Sequence, residues 1–122
     1  MLAAPVILVV DDEELIRSLL AEALESAGYQ VKQAENGIQA LRIQRSTPAQ
    51  VIITDLVMPE REGIETIEQF RRDYPEVKII AISGAFDGRF LLVAQKLGAS
   101  SVLQKPVDPD VVVKTVGRLI GA

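Results

Sequence analysis

The chain of 122 residues contains no cysteine, no histidine and no tryptophan. Without cysteine there is no disulfide, no thiolate nucleophile and no thiolate metal site. Without histidine there is no Ser–His or Cys–His pair, no imidazole zinc site and no imidazole proton shuttle. Aromatic residues make up only 4% of the chain, too few for the aromatic-rich loops that a flavin site wants. No apolar run approaches the length of a membrane span. The opening Met1-Leu2-Ala3-Ala4-Pro5 lacks the basic stretch of a signal peptide. The formal charge is −4, with 17 acidic against 13 basic residues, so there is no basic excess with which to grip nucleic acid. These absences describe a cytoplasmic domain expected to bind neither nucleic acid directly nor membrane. Any chemistry must come from carboxylates, lysine, arginine, hydroxyls and the backbone.

What is present is ordinary globular composition: 48% hydrophobic and 25% charged residues. That is enough for one domain, residues 1–122, with a core that needs no staples. Short β-branched runs alternate with longer amphipathic segments. Strands are expected at Val6–Val10, Gln30–Ala34, Val51–Thr54, Val77–Ile82 and Ser101–Gln104. Helices are expected at Glu13–Ala27, Gly37–Arg45, Gly63–Tyr74, Asp87–Leu97 and Asp108–Ile120. Several strands are almost continuous in Val, Ile and Leu, as strands covered on both faces of a parallel sheet are. Gly28 and Gly98 stand where helices end, and Asp108-Pro109 reads as an N-cap followed by proline in the first turn. Pro48 and Pro75 stand just beyond helices they cannot continue. The pattern predicts an α/β, flavodoxin-like, doubly wound five-stranded parallel sheet of order 2-1-3-4-5 with five helices.

In such a sheet ligands bind beyond the carboxyl ends of the strands. Those ends carry Asp11-Asp12-Glu13, Thr54-Asp55, Ser83-Gly84 and Lys105-Pro106. Neighbouring strands lie about 4.8 Å apart, so Asp11, Asp12 and Asp55 converge and Lys105 can reach over them. Clustered carboxylates repel one another, and either a shared proton or a cation relieves the repulsion. Hard divalent cations such as Mg²⁺ take oxygen ligands of this kind. Lysine and a hydroxyl beside them make a pocket for a group with several anionic oxygens. A phosphoryl group fits, because its transfer asks for positioning and charge neutralisation, and a carboxylate can be the nucleophile. Taken singly, Asp11-Asp12 is an acidic helix start, Asp55 a turn residue, Lys105 a surface lysine and Ser83 a polar residue before a helix. Their joint placement makes the site. Glu13, Glu14, Glu60 and Glu62 read as solvated.

Val9-Val10-Asp11-Asp12-Glu13, Asp55-Leu56-Val57-Met58-Pro59 with Gly63, Ile82-Ser83-Gly84, and Lys105-Pro106 after Gly98-Ala99 occur in order, each at a strand end. In these motifs the chain resembles, over essentially its whole length, the receiver domains of two-component response regulators. The resemblance implies that Asp55 accepts the phosphoryl group. It implies that Asp12 ligates Mg²⁺ directly, that Asp11 acts largely through water, and that Asp55 and the Val57 carbonyl complete the protein ligands. Ser83 would hydrogen-bond a phosphoryl oxygen, Lys105 would pair with the phosphoryl group and the carboxylates, and the Lys105-Pro106 bond would be cis. Gly84 would leave room for a bulky donor. The donor would be a phosphohistidine on a histidine kinase or phosphotransfer protein, and the signal would pass to a downstream effector or output domain. Such a domain is a switch that promotes only its own phosphorylation and dephosphorylation, not an enzyme acting on an external substrate.

The chain departs from the family pattern. Where an aromatic residue often precedes the lysine by three positions, it has Val102, which is stiff about χ1 and has no ring to swing. Val107 stands where phenylalanine is frequent. Val57 and Ala85 are apolar beside the site, and Val57 is expected to shield the acyl phosphate from water. Projected as a helix, the first amphipathic segment clusters Ile16, Leu19, Leu20, Ala23 and Ala27, with Leu15 at the edge as part of a docking patch. The fourth is expected to bury Phe90, Val93, Ala94 and Leu97, and the fifth Val112, Val116, Leu119 and Ile120. Leu91, Leu92, Val102 and Val111 then mark the fourth-helix, fifth-strand, fifth-helix face as a homodimer or output interface, although Ser100-Ser101 replaces the acidic residues of one charged dimer mode. The alternative is a receiver-like interaction module that signals without phosphorylation. A small phosphatase lacks support, because Leu56-Val57 follows Asp55 where an Asp-x-Asp nucleophile pattern would place a second aspartate.

Overall fold

The structure, a computed structural model, describes residues 4–56, 62–84 and 89–121. The strands are β1 (Val6–Val10), β2 (Gln30–Ala34), β3 (Val51–Asp55), β4 (Lys78–Ser83) and β5 (Ser101–Gln104). The helices are α1 (Glu14–Ser26), α2 (Gly37–Ser46), α3 (Glu62–Asp73), α4 (Arg89–Lys96) and α5 (Pro109–Ile120). All pairings are parallel and the order is β2-β1-β3-β4-β5. The expected architecture is therefore the one found. Element ends differ by a residue or two, chiefly because β3 and β4 run on to include Asp55 and Ser83.

Alternation along the strands sends side chains to two cores. Leu8, Val10, Ile52, Ile79 and Ala81 pack with Ala40, Ile67, Phe70 and Ala94 from α2, α3 and α4. Ile7, Val9, Val51, Ile53, Ile80 and Ile82 pack with Leu20, Leu24, Val112 and Val116 from α1 and α5. The central strands are apolar on both faces because both are covered. Each fully buried Ile or Leu contributes about 1.5–3 kcal/mol of transfer free energy. The edge strands β2 and β5 instead carry exposed Gln30, Gln33 and Gln104.

Capping follows the local chemistry. Asp108 accepts a bond from the Asp110 N–H at 2.9 Å with Pro109 in the first turn, and Asn36 accepts from the Gln39 N–H at 2.9 Å. Gly28 (φ 98°) and Gly98 (φ 107°) adopt the left-handed conformation that closes α1 and α4.

Two helix faces differ from expectation. In α1 the buried stripe is Arg17, Leu20, Ala21 and Leu24, while Leu19 is 48% exposed and Ala27 is exposed. A stripe defined by hydrophobicity alone skips Arg17, and that rotates the inferred face. In α4, Ala94 is buried and Leu97 half-buried, but Val93 is 39% exposed. The side chains of Phe90 and Leu91 lie outside the described residues. In α5, Val112 and Val116 are buried, Leu119 and Ile120 pack against them, and Val111 stands clear at 43% exposure.

Candidate functional site

The sheet delivers the site residues through its own hydrogen bonds, which continue past the strand ends. Asp11 N–H donates to the Ala34 carbonyl at 3.1 Å, Leu56 N–H to Ile82 at 2.8 Å and Lys105 N–H to Ser83 at 2.9 Å. Asp11, Asp55, Ser83 and Lys105 are thereby brought to one end of the sheet. Asp11, Asp55 and Ser83 are buried, at 3%, 4% and 1% exposure.

Lys105 is the centre of charge. Its Nζ lies 2.8 Å from Asp55 Oδ2, 3.3 Å from Asp11 Oδ2 and 3.5 Å from Glu13 Oε1. Its aliphatic stem passes Gly84, where an added Cβ would stand 3.3 Å from both Lys105 Cβ and Cδ. The hydrogen at Gly84 thus makes room for the lysine itself. The Lys105-Pro106 peptide is cis, as the resemblance implied.

Asp11 Oδ1 accepts the Glu13 N–H at 2.8 Å, so this carboxylate is fixed at both oxygens. Burial holds its carboxyl above the usual aspartate value, and the charge of Asp55 adds to that, against the lowering effect of the Glu13 N–H and of Lys105. For Lys105, burial opposes the charged form, but the hydrogen bonds and charges of Asp55 and Asp11 outweigh it and raise its pKa above the ordinary lysine value.

Ligand oxygens of Asp11, Asp12, Glu13 and Asp55 all lie within 4.8 Å of one another. An all-carboxylate set of oxygen donors suits a hard cation. Asp12 is exposed and makes no hydrogen bond to a described residue, which leaves its oxygens available. Val57, expected to contribute its carbonyl, lies outside the described residues, as does Ala85.

Gly63, part of the second motif run, has a steric reason to be glycine. A Cβ there would overlap the Asp55 carbonyl oxygen and stand 2.6 Å from Leu56 Cα. The start of α3 is packed directly on the backbone that carries Asp55.

Two contributors escaped the sequence reading. Glu13, taken as solvated, keeps a side chain 62% exposed yet reaches Lys105. Arg17, which the motifs do not include, is 9% exposed and donates from Nη1 to the Asp11 carbonyl at 2.7 Å. Its signal was present: Arg17 falls at helical spacing with Leu20, Ala21 and Leu24.

A carboxylate pocket capable of holding a cation, crossed by one lysine, at the switch point of a 2-1-3-4-5 sheet defines a phosphoryl-accepting doubly wound domain. A family model of the response regulator receiver domain matches residues 7–117. The chain is 31% identical over 114 residues to the chemotaxis protein CheY of Thermotoga maritima, covering 93% of this chain and 95% of CheY. It is 36% identical over 114 residues to an NtrX-like response regulator of Rickettsia felis, covering 92% of this chain but 24% of that protein. The solved CheY4 of Vibrio cholerae superimposes with a TM-score of 0.86 at 30% identity, over 95% of this chain and 98% of that one. The chain belongs to the response-regulator receiver domains. It is a phosphorylatable switch of two-component signal transduction. Domains of this family work with histidine kinases and output partners.

Proposed function

We propose that Asp55 is the phosphoacceptor and that the remaining site residues serve it in distinct ways. An Asp55 carboxylate oxygen attacks the phosphorus of a phosphohistidine on a histidine kinase or phosphotransfer protein. The P–N bond breaks, the imidazole leaves with the electron pair, and an acyl phosphate forms. Lys105, already 2.8 Å from Asp55, moves its pairing to a phosphoryl oxygen. Ser83, at the adjacent strand end, donates its hydroxyl to another. Asp12 and Asp55 would hold Mg²⁺ directly, Asp11 would act largely through water, and the Val57 carbonyl, outside the described residues, would complete the protein ligands. When bound, the ion neutralises charge on the phosphoryl oxygens. Slow hydrolysis of the acyl phosphate resets the switch.

Partners are read from the surfaces. Leu15 (71% exposed) and Leu19 (48%) stand beside half-buried Ile16 on α1, next to a cavity of about 540 Å³ that Glu13, Lys105 and Pro106 also line. This is the docking side for the phosphohistidine partner. Leu92 and Val111, 52% and 43% exposed, belong to the α4–β5–α5 face, which serves an output partner or a homodimer. Val102, half-buried in β5 against the α4-side core, cannot relay the change by a swinging ring. The domain acts in the cytoplasm as a single receiver unit, without contacting nucleic acid or membrane itself.

The observation that carries this reading is the convergence of Lys105 on Asp55 and Asp11 inside the acidic cluster. The test is phosphorylation with Mg²⁺ and a small phosphodonor, read by intact mass. One added phosphoryl group is expected, and none in Asp55→Asn. Labelling that survives the substitution moves the site elsewhere. No labelling of the wild type favours signalling without phosphate.

A further inference from the structure

We propose that Arg17 is a positioning residue for the cation pocket: its buried guanidinium fixes the Asp11 carbonyl and so sets the orientation in which the Asp11 and Asp12 carboxylates meet a divalent cation. The proposal rests on the reading of the acidic cluster as the Mg²⁺ site.

Arg17 lies on the buried stripe of α1, with Leu20, Ala21 and Leu24. A leucine or methionine would pack there without the several kcal/mol that burying an ion costs. Among the described residues no carboxylate pairs with it, so an ion pair does not explain its burial. Its partner is the main-chain oxygen of Asp11, at 2.7 Å in a buried setting. Arginine side chains in helices lean toward the N-terminus, which is where that oxygen lies.

The contact completes Asp11. Its N–H bonds to Ala34, Oδ1 accepts from Glu13 N–H, Oδ2 accepts from Lys105, and the carbonyl accepts from Arg17. Arg17 also donates its own main-chain N–H to the Glu13 carbonyl at 3.1 Å. One residue thus holds both sides of Asp12, whose own carboxylate bonds to no described residue. Glu13, the N-cap of α1, makes no side-chain cap bond. Arg17 thus holds the turn from its inner side, beside the Asp11 Oδ1 bond to the Glu13 N–H, where the N-cap side chain makes no bond.

Electrostatics and positioning predict opposite signs, which makes the idea decidable. A positive charge under the pocket repels Mg²⁺, so removing charge alone tightens binding. Losing the fixed turn weakens it. Mg²⁺ affinity is measured by calorimetric titration of the full chain as wild type, Arg17→Met and Arg17→Lys, with far-UV circular dichroism and melting to establish folding. Arg17→Met should weaken Mg²⁺ binding at least tenfold. Arg17→Lys, which keeps a charge and a donor, should fall between. Unchanged or tighter binding by folded Arg17→Met overturns the proposal. If Arg17→Met does not fold, folded Arg17→Lys decides: several-fold weaker binding supports the role and wild-type affinity overturns it. A wild type that binds no Mg²⁺ overturns the cation site as well, and so separates the two failures.

Discussion

At the scale of single residues, the site works because small groups are placed where larger ones would intrude. Gly84 gives the Lys105 stem its path, with a Cβ position 3.3 Å from two of its carbons. Gly84→Ala should cost about 1 kcal/mol through overpacking and slow phosphoryl labelling, because the ammonium group is pushed off Asp55. Denaturant midpoints and labelling rates check both; a variant labelled as fast as wild type refutes the account. Asp11 sets a pH dependence whose sign is fixed by its environment. Its folded pKa is raised above 3.8, chiefly by burial, so the folded state holds this proton more tightly than the unfolded chain does. Without divalent cations, its contribution therefore falls as pH rises from about 4 through the folded value. Asp11→Asn should gain stability relative to wild type over that window, as read by urea midpoints at stepped pH. Lys105 behaves oppositely. Its raised pKa gives stability that is complete below 10.5 and is lost only at more alkaline pH.

At the scale of elements, the decisive contact is between the start of α3 and the end of β3. Gly63 stands where a Cβ would meet Leu56 Cα at 2.6 Å and the Leu56 carbonyl oxygen at 2.8 Å. These are backbone atoms and cannot swing aside. Gly63→Ala should therefore destabilise by about 3 kcal/mol and shift the chain that carries Asp55. Chemical denaturation tests it, and a loss too small to resolve would contradict the packing. Helix faces teach a related lesson. Hydrophobicity identified α5's Val112 and Val116 correctly, because nothing charged shares their stripe. It misplaced the face of α1, because the stripe includes Arg17. It also assigned Val93 to the buried side of α4, where Ala94 alone is fully covered among the described side chains of that helix.

At the scale of the whole molecule, the acidic end of the sheet and the apolar α1 surface lie side by side. Leu19 lines the cavity that ends at Lys105, and exposed Leu15 stands on the same helix. An apolar patch rimmed by charge suits a protein partner more than a small molecule. The double substitution Leu15→Ser, Leu19→Ser should slow transfer from a phosphohistidine protein while leaving labelling by a small phosphodonor unchanged. Parallel time courses with the two donors check this, and equal loss with both would place these leucines in folding instead of docking. The α1 substitutions remove no core contact of the fully buried stripe, so little stability should be lost.

The sequence by itself determined the fold class and where most of the candidate site residues would stand. Strand patterning, caps and glycines are local properties, and a parallel sheet with short connections has few topologies. Given that topology, Asp11, Asp12, Asp55, Ser83 and Lys105 had to emerge at one end. Tertiary structure alone decided which groups touch. Glu13 reaches Lys105, Arg17 turns inward to the Asp11 carbonyl, and Gly84 and Gly63 lie against a lysine stem and a backbone. Periodicity hints only at the inward face of Arg17; the contacts themselves are not visible in it, because each depends on a side chain or backbone supplied by another part of the chain. The physical reason is range: patterning reports which face a residue presents, while the partner waiting on that face is set by how the elements pack.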